Sequence, residues 1–408
     1  MKFIVLLGDG MADYAIPELG GMTPTEHART PNMDRMAAEG TLGLVDTIPA
    51  GLKPGSDVAN LTVLGYDALK LYSGRGPLEA ANMGITLGPD DVAFRCNLVS
   101  LGNEEDPLMD DFTAGHISTR EATDVIKALN NTLGNDTFSF YPGVGYRHLL
   151  IWHGGKADTE TTPPHDITGQ PTTSYLPRGE GSNELLGLMN DAKVVLKGNA
   201  VNRERQAGGK KTANSIWLWG QGRAPRMEKL TEKYGFRGGM ISAVDLLNGI
   251  GIYAGLKVVR VPGATGYTDT NYVGKAEYAL EALKSMDFVF IHVEAPDEMG
   301  HEGNIEGKIK AIEDFDEKVV GTVMEGAKAL GPVRILVLSD HPTPIAIKTH
   351  ASDPSPFAVW SSINDENLNT GKLYGETNAA ISGILIKPGF HLMELFIARW
   401  RDFIEEHR

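Results

Sequence analysis

Residues 288–301 read Phe-Val-Phe-Ile-His-Val-Glu-Ala-Pro-Asp-Glu-Met-Gly-His, and this stretch decides the fold. Its first six residues form a short apolar run rich in Phe, Val and Ile, which predicts a strand buried on both faces. Three similar runs predict further strands, at residues 3–7, 258–261 and 335–338. Amphipathic patterns between the runs predict helices, at residues 242–254, 275–283 and 308–330. This alternation predicts an α/β fold with a mostly parallel sheet and helices on both faces.

The middle of the chain has a different character. From about residue 76 to residue 220 the segments are shorter and more polar, and pairs such as Gly154-Gly155 and Pro163-Pro164 interrupt them. We therefore predict an inserted smaller α+β domain at residues 77–220. Residues 1–76 and 221–408 would together form the core domain.

Charge and composition exclude several classes of function. The 408 residues include 53 acidic and 38 basic ones, a net charge of −15, so nucleic acid is not the expected partner. A local arginine cluster can still bind a small anion within an acidic protein. The single cysteine, Cys96, permits no internal disulfide and gives no sign of secretion. No apolar run approaches the roughly 20 residues that span a bilayer, so we expect a cytoplasmic protein without membrane contact.

Acidic residues and histidines follow three of the predicted strands. Asp9 comes directly after the first run, Asp297 and His301 follow the run at 288–293, and Asp340 and His341 follow the last run. His350 lies nine residues after His341. Each of these alone has an ordinary explanation, such as a tight turn, a helix cap or a solvated helix face. Because the carboxyl ends of parallel strands meet at one edge of a sheet, the combination predicts a metal site with oxygen and nitrogen ligands for Mn, Zn or a similar ion.

Ser56 is a candidate nucleophile. It follows Gly55 and stands directly before a helical pattern, so it can be explained as a simple helix cap. The functional alternative is that free amides at the helix start bind a phosphoryl group while a metal ion activates the hydroxyl. The chain has neither a Gly-x-Ser-x-Gly elbow nor a Walker-type loop, which disfavours an ordinary serine hydrolase and a P-loop nucleotide site.

These motifs together resemble the alkaline phosphatase superfamily and, within it, the archaeal-type cofactor-independent phosphoglycerate mutases. The similarity extends over nearly the whole chain and includes further stretches, at residues 74–81, 94–97 and 111–116. It implies a phosphatase-like core that carries an inserted transferase domain. It also implies two divalent metal ions, most often Mn²⁺ and in some members Co²⁺, Zn²⁺ or Mg²⁺.

The resemblance assigns roles to individual residues. One metal would be held by Asp9, Ser56, Asp340 and His341, and the other by Asp297, His301 and His350. Ser56 would become phosphorylated. The inserted domain would bind a small anionic phosphorylated substrate through four arginines, Arg95, Arg147, Arg223 and Arg226. Lys275 would be a further contact. His116 matches a histidine of the inserted domain, and Asp166 is a weaker match to an acid that moves the proton of the substrate hydroxyl.

The implied activity is the interconversion of 3-phosphoglycerate and 2-phosphoglycerate, an isomerase reaction of glycolysis and gluconeogenesis. The sequence departs from the family's motif at one position, because Glu294 stands where archaeal members tend to have a lysine. This departure leaves open which substrate accepts the phosphoryl group. The alternatives are a homoserine kinase-like phosphotransferase, a metal-dependent phosphatase of the same superfamily, and a binding module without catalysis. The sequence does not fix the oligomeric state.

Overall fold

The computed structural model describes residues 1–102 and 107–408, which fold as two units. The first unit comprises Met1–Tyr72 and Arg226–Arg408, and the second comprises Ser73–Pro225. The prediction had set the inserted segment at residues 77–220. All predicted metal ligands belong to the first unit.

Thirteen strands lie in the described ranges. They are β1 (Lys2–Gly8), β2 (Thr41–Val45), β3 (Val92–Gly102), β4 (Leu108–Asp111), β5 (Phe138–Val144), β6 (Arg147–Trp152), β7 (Ser215–Gly222), β8 (Gly238–Ile241), β9 (Lys257–Val258), β10 (Phe288–Val293), β11 (Val333–Ser339), β12 (Ser355–Ser361) and β13 (Leu385–Ile386).

Seventeen α-helices lie in the same part of the chain. They are α1 (Pro24–His27), α2 (Pro31–Glu39), α3 (Ser56–Val63), α4 (Ala68–Leu71), α5 (Arg75–Asn82), α6 (Thr119–Leu133), α7 (Ser182–Lys197), α8 (Ala200–Ala207), α9 (Leu230–Lys233), α10 (Asp245–Tyr253), α11 (Tyr272–Leu283), α12 (Ala295–Glu302), α13 (Ile305–Phe315), α14 (Thr322–Ala327), α15 (Glu376–Ile381), α16 (His391–Glu394) and α17 (Trp400–His407).

The first unit is built on an eight-stranded sheet in the order β13-β2-β12-β11-β1-β10-β8-β9. Only β12 runs antiparallel to its neighbours, β11 and β2. In the centre, Gly8 of β1 pairs with Val293 of β10 on one side and Ser339 of β11 on the other. Three neighbouring parallel strands therefore end at the same level, and the residues that follow them share one edge of the sheet.

Helices cover both faces of this sheet, as its alternating side chains require. Ile4 and Leu6 of β1 are fully buried in a core with α2, α11 and α13. Phe3 points to the opposite face and packs edge-on against Phe396, with ring centroids 5.7 Å apart. Burial on both faces removes the apolar surface of these strands from contact with water, which explains their unbroken apolar sequence.

The second unit contains an antiparallel sheet. Its long central strand, β3, pairs with β4, β6 and β7, and β5 pairs with β6. α6 and α7 pack on this sheet through buried residues such as Val125 and Leu188. A capping box at Ser118 and Glu121 starts α6.

The predicted fold class is confirmed: an α/β core with a mostly parallel sheet and an inserted smaller α+β unit. Three element predictions were wrong in their bounds. The strand predicted at residues 258–261 ends at Val258, and the helix predicted from Ser242 begins at Asp245. The helix predicted at 308–330 begins at Ile305 and continues through a π-helical turn at Asp316–Gly321. No described helix is long and apolar enough to cross a membrane.

Candidate two-metal site

Four predicted ligands converge beyond the carboxyl ends of β1 and β11, and we call them the inner group: Asp9, Ser56, Asp340 and His341. Ser56 Oγ lies 3.3 Å from Asp9 Oδ1 and 3.2 Å from His341 Nε2. His341 Nε2 lies 3.4 Å from Asp9 Oδ1 and 3.6 Å from Asp340 Oδ2. The two carboxylates and the imidazole are fully buried, and Ser56 is partly exposed.

Backbone amides orient the Asp340 carboxylate. Its Oδ1 accepts from Gly10 N at 3.0 Å and His341 N at 2.9 Å, and its Oδ2 accepts from Asn60 Nδ2 at 2.8 Å. Gly10 has φ of 57°, and a Cβ there would lie 2.3 Å from Asp297 Oδ1. Only glycine allows both this conformation and this close approach.

The other three predicted ligands form a second cluster, which we call the outer group: Asp297, His301 and His350. Asp297 and His301 lie one turn apart on α12, with 3.1 Å between Asp297 Oδ2 and His301 Nε2. His350 Nε2 lies 3.5 Å from Asp297 Oδ1 and 3.0 Å from His301 Nε2. The two imidazoles are more exposed than that of His341 in the inner group, with 35% of the His301 side chain and 19% of the His350 side chain accessible.

The donor atoms of both groups fit divalent cations. In each group, ligand-type atoms of three residues lie within 4.8 Å of one another. His301 Nδ1 lies 3.0 Å from the carbonyl oxygen of Lys348, so Nδ1 keeps its proton in the neutral ring, and loss of the Nε2 proton that faces Asp297 would leave a lone pair there for a cation. Lone pairs and carboxylates that converge in this way are typical of a cation site with Mn- or Zn-type preferences.

Burial and mutual contacts shift the pKa values of acids and imidazoles in both groups. Burial, together with the neighbouring Asp340 carboxylate, raises the pKa of Asp9 well above its usual value. Burial lowers the pKa of His341, so its imidazole is neutral near pH 7. Burial alone would raise the pKa of Asp297, but hydrogen bonds from His301 and His350 outweigh it and hold that pKa well below its ordinary value. The same bond to Asp297 raises the pKa of His301 to about 9.

Ser56 is the first residue of α3, and Gly55 is the cap, so the cap explanation does not apply to its hydroxyl. Its Oγ is in hydrogen-bond range of two inner-group ligands instead. The free amides and positive dipole end of α3 favour an anion beside this hydroxyl.

Sequence reasoning missed a third set of ligand-type atoms, from His292 and Glu294 beside Asp9. His292 Nε2 lies 2.7 Å from Asp9 Oδ2 and 3.4 Å from Glu294 Oε2, and its Nδ1 lies 3.1 Å from Ser242 Oγ. Burial raises the pKa of Glu294 to about 8. The available signal was a histidine inside the apolar run at 288–293, because a polar residue in a fully buried strand needs a partner.

Two missed residues support the ligands without standing in a motif. Asn60 lies one turn along α3 from Ser56 and bonds to Asp340. Thr343 is fully buried and bonds to Asp297 and His341. Nothing in their local sequence distinguishes them from ordinary helix and loop residues.

The predicted substrate residues of the second unit are not gathered as tightly. Arg95 is largely buried, with its Nε 3.1 Å from Glu79 Oε1 and its guanidinium 4.3 Å from the centre of the Trp219 ring. Arg147 is exposed at the start of β6. Arg223 Nη2 donates to the carbonyl oxygen of Gly155 at 2.9 Å.

The two predicted proton-transfer residues also lie in the second unit. His116 is exposed, with φ of 48°. The Asp166 side chain is 57% accessible, and its Oδ1 lies 3.5 Å from Nε2 of the neighbouring His165, whose ring packs against Trp219. His165 thus contacts the same Trp219 ring that the Arg95 guanidinium covers.

The remaining two predicted substrate residues belong to the first unit. Arg226 is exposed. Lys275 is fully buried on α11, and its Nζ donates to the carbonyl oxygen of His292 at 2.9 Å. Burial lowers the pKa of Lys275 to about 8. Its ammonium group therefore supports the strand that carries His292.

Comparison with known proteins gives a consistent result. A family model described as 2,3-bisphosphoglycerate-independent phosphoglycerate mutase matches residues 37–202. A Geobacter sulfurreducens protein named probable 2,3-bisphosphoglycerate-independent phosphoglycerate mutase is 54% identical over 400 residues, 98% of this chain and 100% of the relative. A Methanosarcina acetivorans protein named 2,3-bisphosphoglycerate-independent phosphoglycerate mutase is 52% identical over 95% of this chain and 100% of its own.

Two solved structures are similar in fold. The PH0037 protein from Pyrococcus horikoshii has a TM-score of 0.82 and 29% identity, covering 98% of this chain and 97% of its own. A cofactor-independent phosphoglycerate mutase from Thermoplasma acidophilum has a TM-score of 0.67 at 24% identity, covering 97% of this chain and 99% of its own. The second likeness concerns the fold alone.

Proposed function

The chain belongs to the 2,3-bisphosphoglycerate-independent phosphoglycerate mutase family, and we propose that it interconverts 3-phosphoglycerate and 2-phosphoglycerate through a phosphoserine at Ser56. The observation that carries this proposal is the position of Ser56 Oγ, at the start of α3 and within 3.3 Å of Asp9 Oδ1 and 3.2 Å of His341 Nε2. As part of the same proposal, the enzyme serves glycolysis and gluconeogenesis in the cytoplasm.

Two divalent cations, Mn²⁺ in the first place with Zn²⁺, Co²⁺ or Mg²⁺ as alternatives, would be held by the inner and outer groups. When bound, they would lower the pKa of the serine hydroxyl and screen the charge of the phosphoryl group. The carboxylates of Asp9, Asp297 and Asp340 supply the negative charge that such ions need, and the imidazoles supply nitrogen ligands.

Ser56 Oγ would lose its proton and attack the phosphorus of 3-phosphoglycerate, and the bond from phosphorus to the oxygen on carbon 3 would break. That oxygen takes up a proton and becomes the hydroxyl of glycerate. The hydroxyl on carbon 2 then attacks the phosphoserine, loses its proton and returns Ser56 to its free form. His116 or Asp166 would move these protons, and Arg95, Arg147, Arg223 and Arg226 would bind the substrate anions, whereas the buried Lys275 would support the strand that carries His292.

The first test is a mutase assay on metal-stripped protein. The protein receives 3-phosphoglycerate and Mn²⁺ without 2,3-bisphosphoglycerate, and 2-phosphoglycerate is read through enolase. We expect activity that requires the metal and not the bisphosphate. Release of free phosphate without isomerisation would point to a phosphatase instead. Inactivity with all four metals would contradict the proposal. ATP-dependent phosphorylation of homoserine would then be the favoured alternative.

The second test concerns the phosphoserine. Ser56→Ala should lower the mutase rate by on the order of 10⁴ or more, because the nucleophile is lost. Acid quenching of the wild-type enzyme with substrate should give a phosphorylated peptide that contains Ser56, by mass spectrometry. Ser285→Ala, an exposed serine at the end of α11, is the matched control and should keep full activity. Retention of most activity by Ser56→Ala would contradict the phosphoserine pathway.

A further inference from the structure

Thr343 lies between the two ligand groups. It is fully buried, two residues after His341 in the segment that follows β11. Its Oγ1 is hydrogen-bonded to Asp297 Oδ1 of the outer group and lies 3.2 Å from His341 Nδ1 of the inner group. A single hydroxyl thus contacts one ligand from each group.

The chemistry of the three partners fixes the direction of both hydrogen bonds. An ionised carboxylate only accepts, so the Thr343 hydroxyl must donate its one proton to Asp297 Oδ1. The same oxygen then has only lone pairs left for His341, and Nδ1 of that ring must carry the proton and donate. The tautomer of His341 follows from this chain of donors: Nε2 holds the lone pair.

That lone pair points to where an inner-group cation would bind. His341 Nε2 faces Ser56 Oγ at 3.2 Å and Asp9 Oδ1 at 3.4 Å. In the other tautomer a proton would occupy this position and prevent ligation. The Thr343 hydroxyl therefore controls whether His341 can act as a ligand.

Thr343 is itself held firmly by its backbone. Its amide donates to the carbonyl oxygen of Ala12 at 3.1 Å, and its carbonyl accepts from the buried Lys308 Nζ at 2.9 Å. The same ammonium donates to Asp13 Oδ2 at 2.7 Å. Gly300 allows α12 to approach, since a Cβ there would lie 2.5 Å from the Thr343 carbonyl oxygen. The hydroxyl is thus a fixed element of the site.

We propose that Thr343 is a positioning residue shared by both cation sites, orienting His341 in the inner group and Asp297 in the outer group through one hydroxyl. This inference rests on the proposed function in so far as it takes the two groups as cation sites. It goes beyond that function by assigning a role in metal binding to a residue that is not itself a ligand. Outer-shell hydrogen bonds of this kind are typically worth about 10- to 100-fold in metal affinity.

The test is calorimetric titration of the metal-stripped full chain with Mn²⁺. Thr343→Val removes the hydroxyl and keeps the shape, and Thr343→Ser keeps the hydroxyl. We expect the valine variant to bind both ions about 10- to 100-fold more weakly and the serine variant to bind within a few-fold of wild type. Thr41→Val is the matched control, since the Thr41 hydroxyl is buried without a hydrogen-bond partner in the described residues.

Equal affinity of wild type and Thr343→Val for both ions would overturn the proposal, and so would a serine variant as weak as the valine variant. If the valine variant does not fold, Thr343→Ser against Thr343→Ala asks the same question. Because the readout is ion affinity, the outcome is independent of the mutase assay. A wild-type protein that binds two ions but does not isomerise phosphoglycerate would contradict only the proposed function.

Discussion

The inner and outer groups are built from the same kinds of ligand but differ in how they are held. The inner group follows two central strands, its carboxylates and imidazole are fully buried, and backbone amides fix Asp340. The outer group sits on α12 and the segment before β12, and the His301 side chain is 35% accessible. Burial makes the inner group rigid and keeps its imidazole neutral, whereas the two imidazoles of the outer group are partly accessible to solvent. We expect the two groups to respond differently to substitution and pH.

Among the substitutions that compare the two groups, Asp340→Asn should give the largest effect. Both oxygens of Asp340 accept hydrogen bonds, so an asparagine must turn its amide toward a donor and lose a charge. We expect the inner group to lose its ion and the mutase rate to fall by on the order of 10³. Elemental analysis should find one ion per chain instead of two.

The control for this experiment is Asp365→Asn, an exposed acid of the first unit. Two bound ions in Asp340→Asn would contradict the prediction, because the inner group would then tolerate the loss of a buried ligand. Loss of both ions would show that the outer group depends on the inner one.

The second prediction concerns pH and separates the groups directly. The pKa of about 9 for His301, set mainly by its bond to Asp297, means that a proton competes with the cation below pH 9. Affinity at the outer group should therefore fall by up to about tenfold for each pH unit from 9 down to 6. Burial lowers the pKa of His341, so no imidazole proton competes with the cation at the inner group in this range, and the raised pKa of Asp9 is the source of pH dependence there.

Mn²⁺ titrations of metal-stripped protein at pH 6, 7, 8 and 9 measure both affinities. His301→Gln should flatten the steep phase, since glutamine does not titrate. A steep phase that persists in His301→Gln would contradict the assignment of the competing proton to His301.

The sequence was sufficient to predict which candidate ligands lie together, but it was insufficient to predict the residues that orient them. Asp9, Asp340 and His341 directly follow apolar runs, and the parallel order of β1, β10 and β11 brings such residues to one edge. Thr343 and His292 act through hydrogen bonds to residues 46 and 283 positions away, which no local pattern encodes. The strand predicted at 258–261 was too long because an apolar run does not show where pairing with β8 ends.

The third prediction concerns the support that His292 gives to Asp9 of the inner group. His292 Nε2 lies 2.7 Å from the oxygen of Asp9 that faces away from Ser56. His292→Leu should remove this support and weaken inner-group binding about 10- to 100-fold, with the outer group unchanged. His292→Gln can donate from its amide to the same oxygen and should recover most of the affinity. A wild-type protein that binds three ions, reduced to two in both variants, would instead make His292 a ligand.

The smallest effect should come from a carboxyl group that contacts neither ligand group. Glu376 accepts hydrogen bonds from Asp13 N at 3.1 Å and Thr23 Oγ1 at 2.7 Å, and burial raises its pKa from 4.5 to about 7. Between these two values the folded chain keeps a proton that the unfolded chain has released. The stability of the folded state therefore falls as pH rises from about 4.5 to 7, and the loss is complete above pH 7.

Glutamine does not titrate, so Glu376→Gln should remove the contribution of this carboxyl group to the pH dependence of folding stability. Because the side chain is partly exposed, we expect the difference between pH 5 and pH 8 to shrink by on the order of 1–2 kcal/mol in urea denaturation of metal-stripped protein. Glu376 is linked to Thr343 only indirectly. It accepts from the amide of Asp13, and Lys308 Nζ donates both to the Asp13 carboxylate and to the Thr343 carbonyl oxygen. Both Mn²⁺ affinities should therefore stay at wild-type values. A change at either group would mean that the segments after β1 and β11 respond to a charge well outside the ligands, and the rigidity ascribed to the inner group would be wrong.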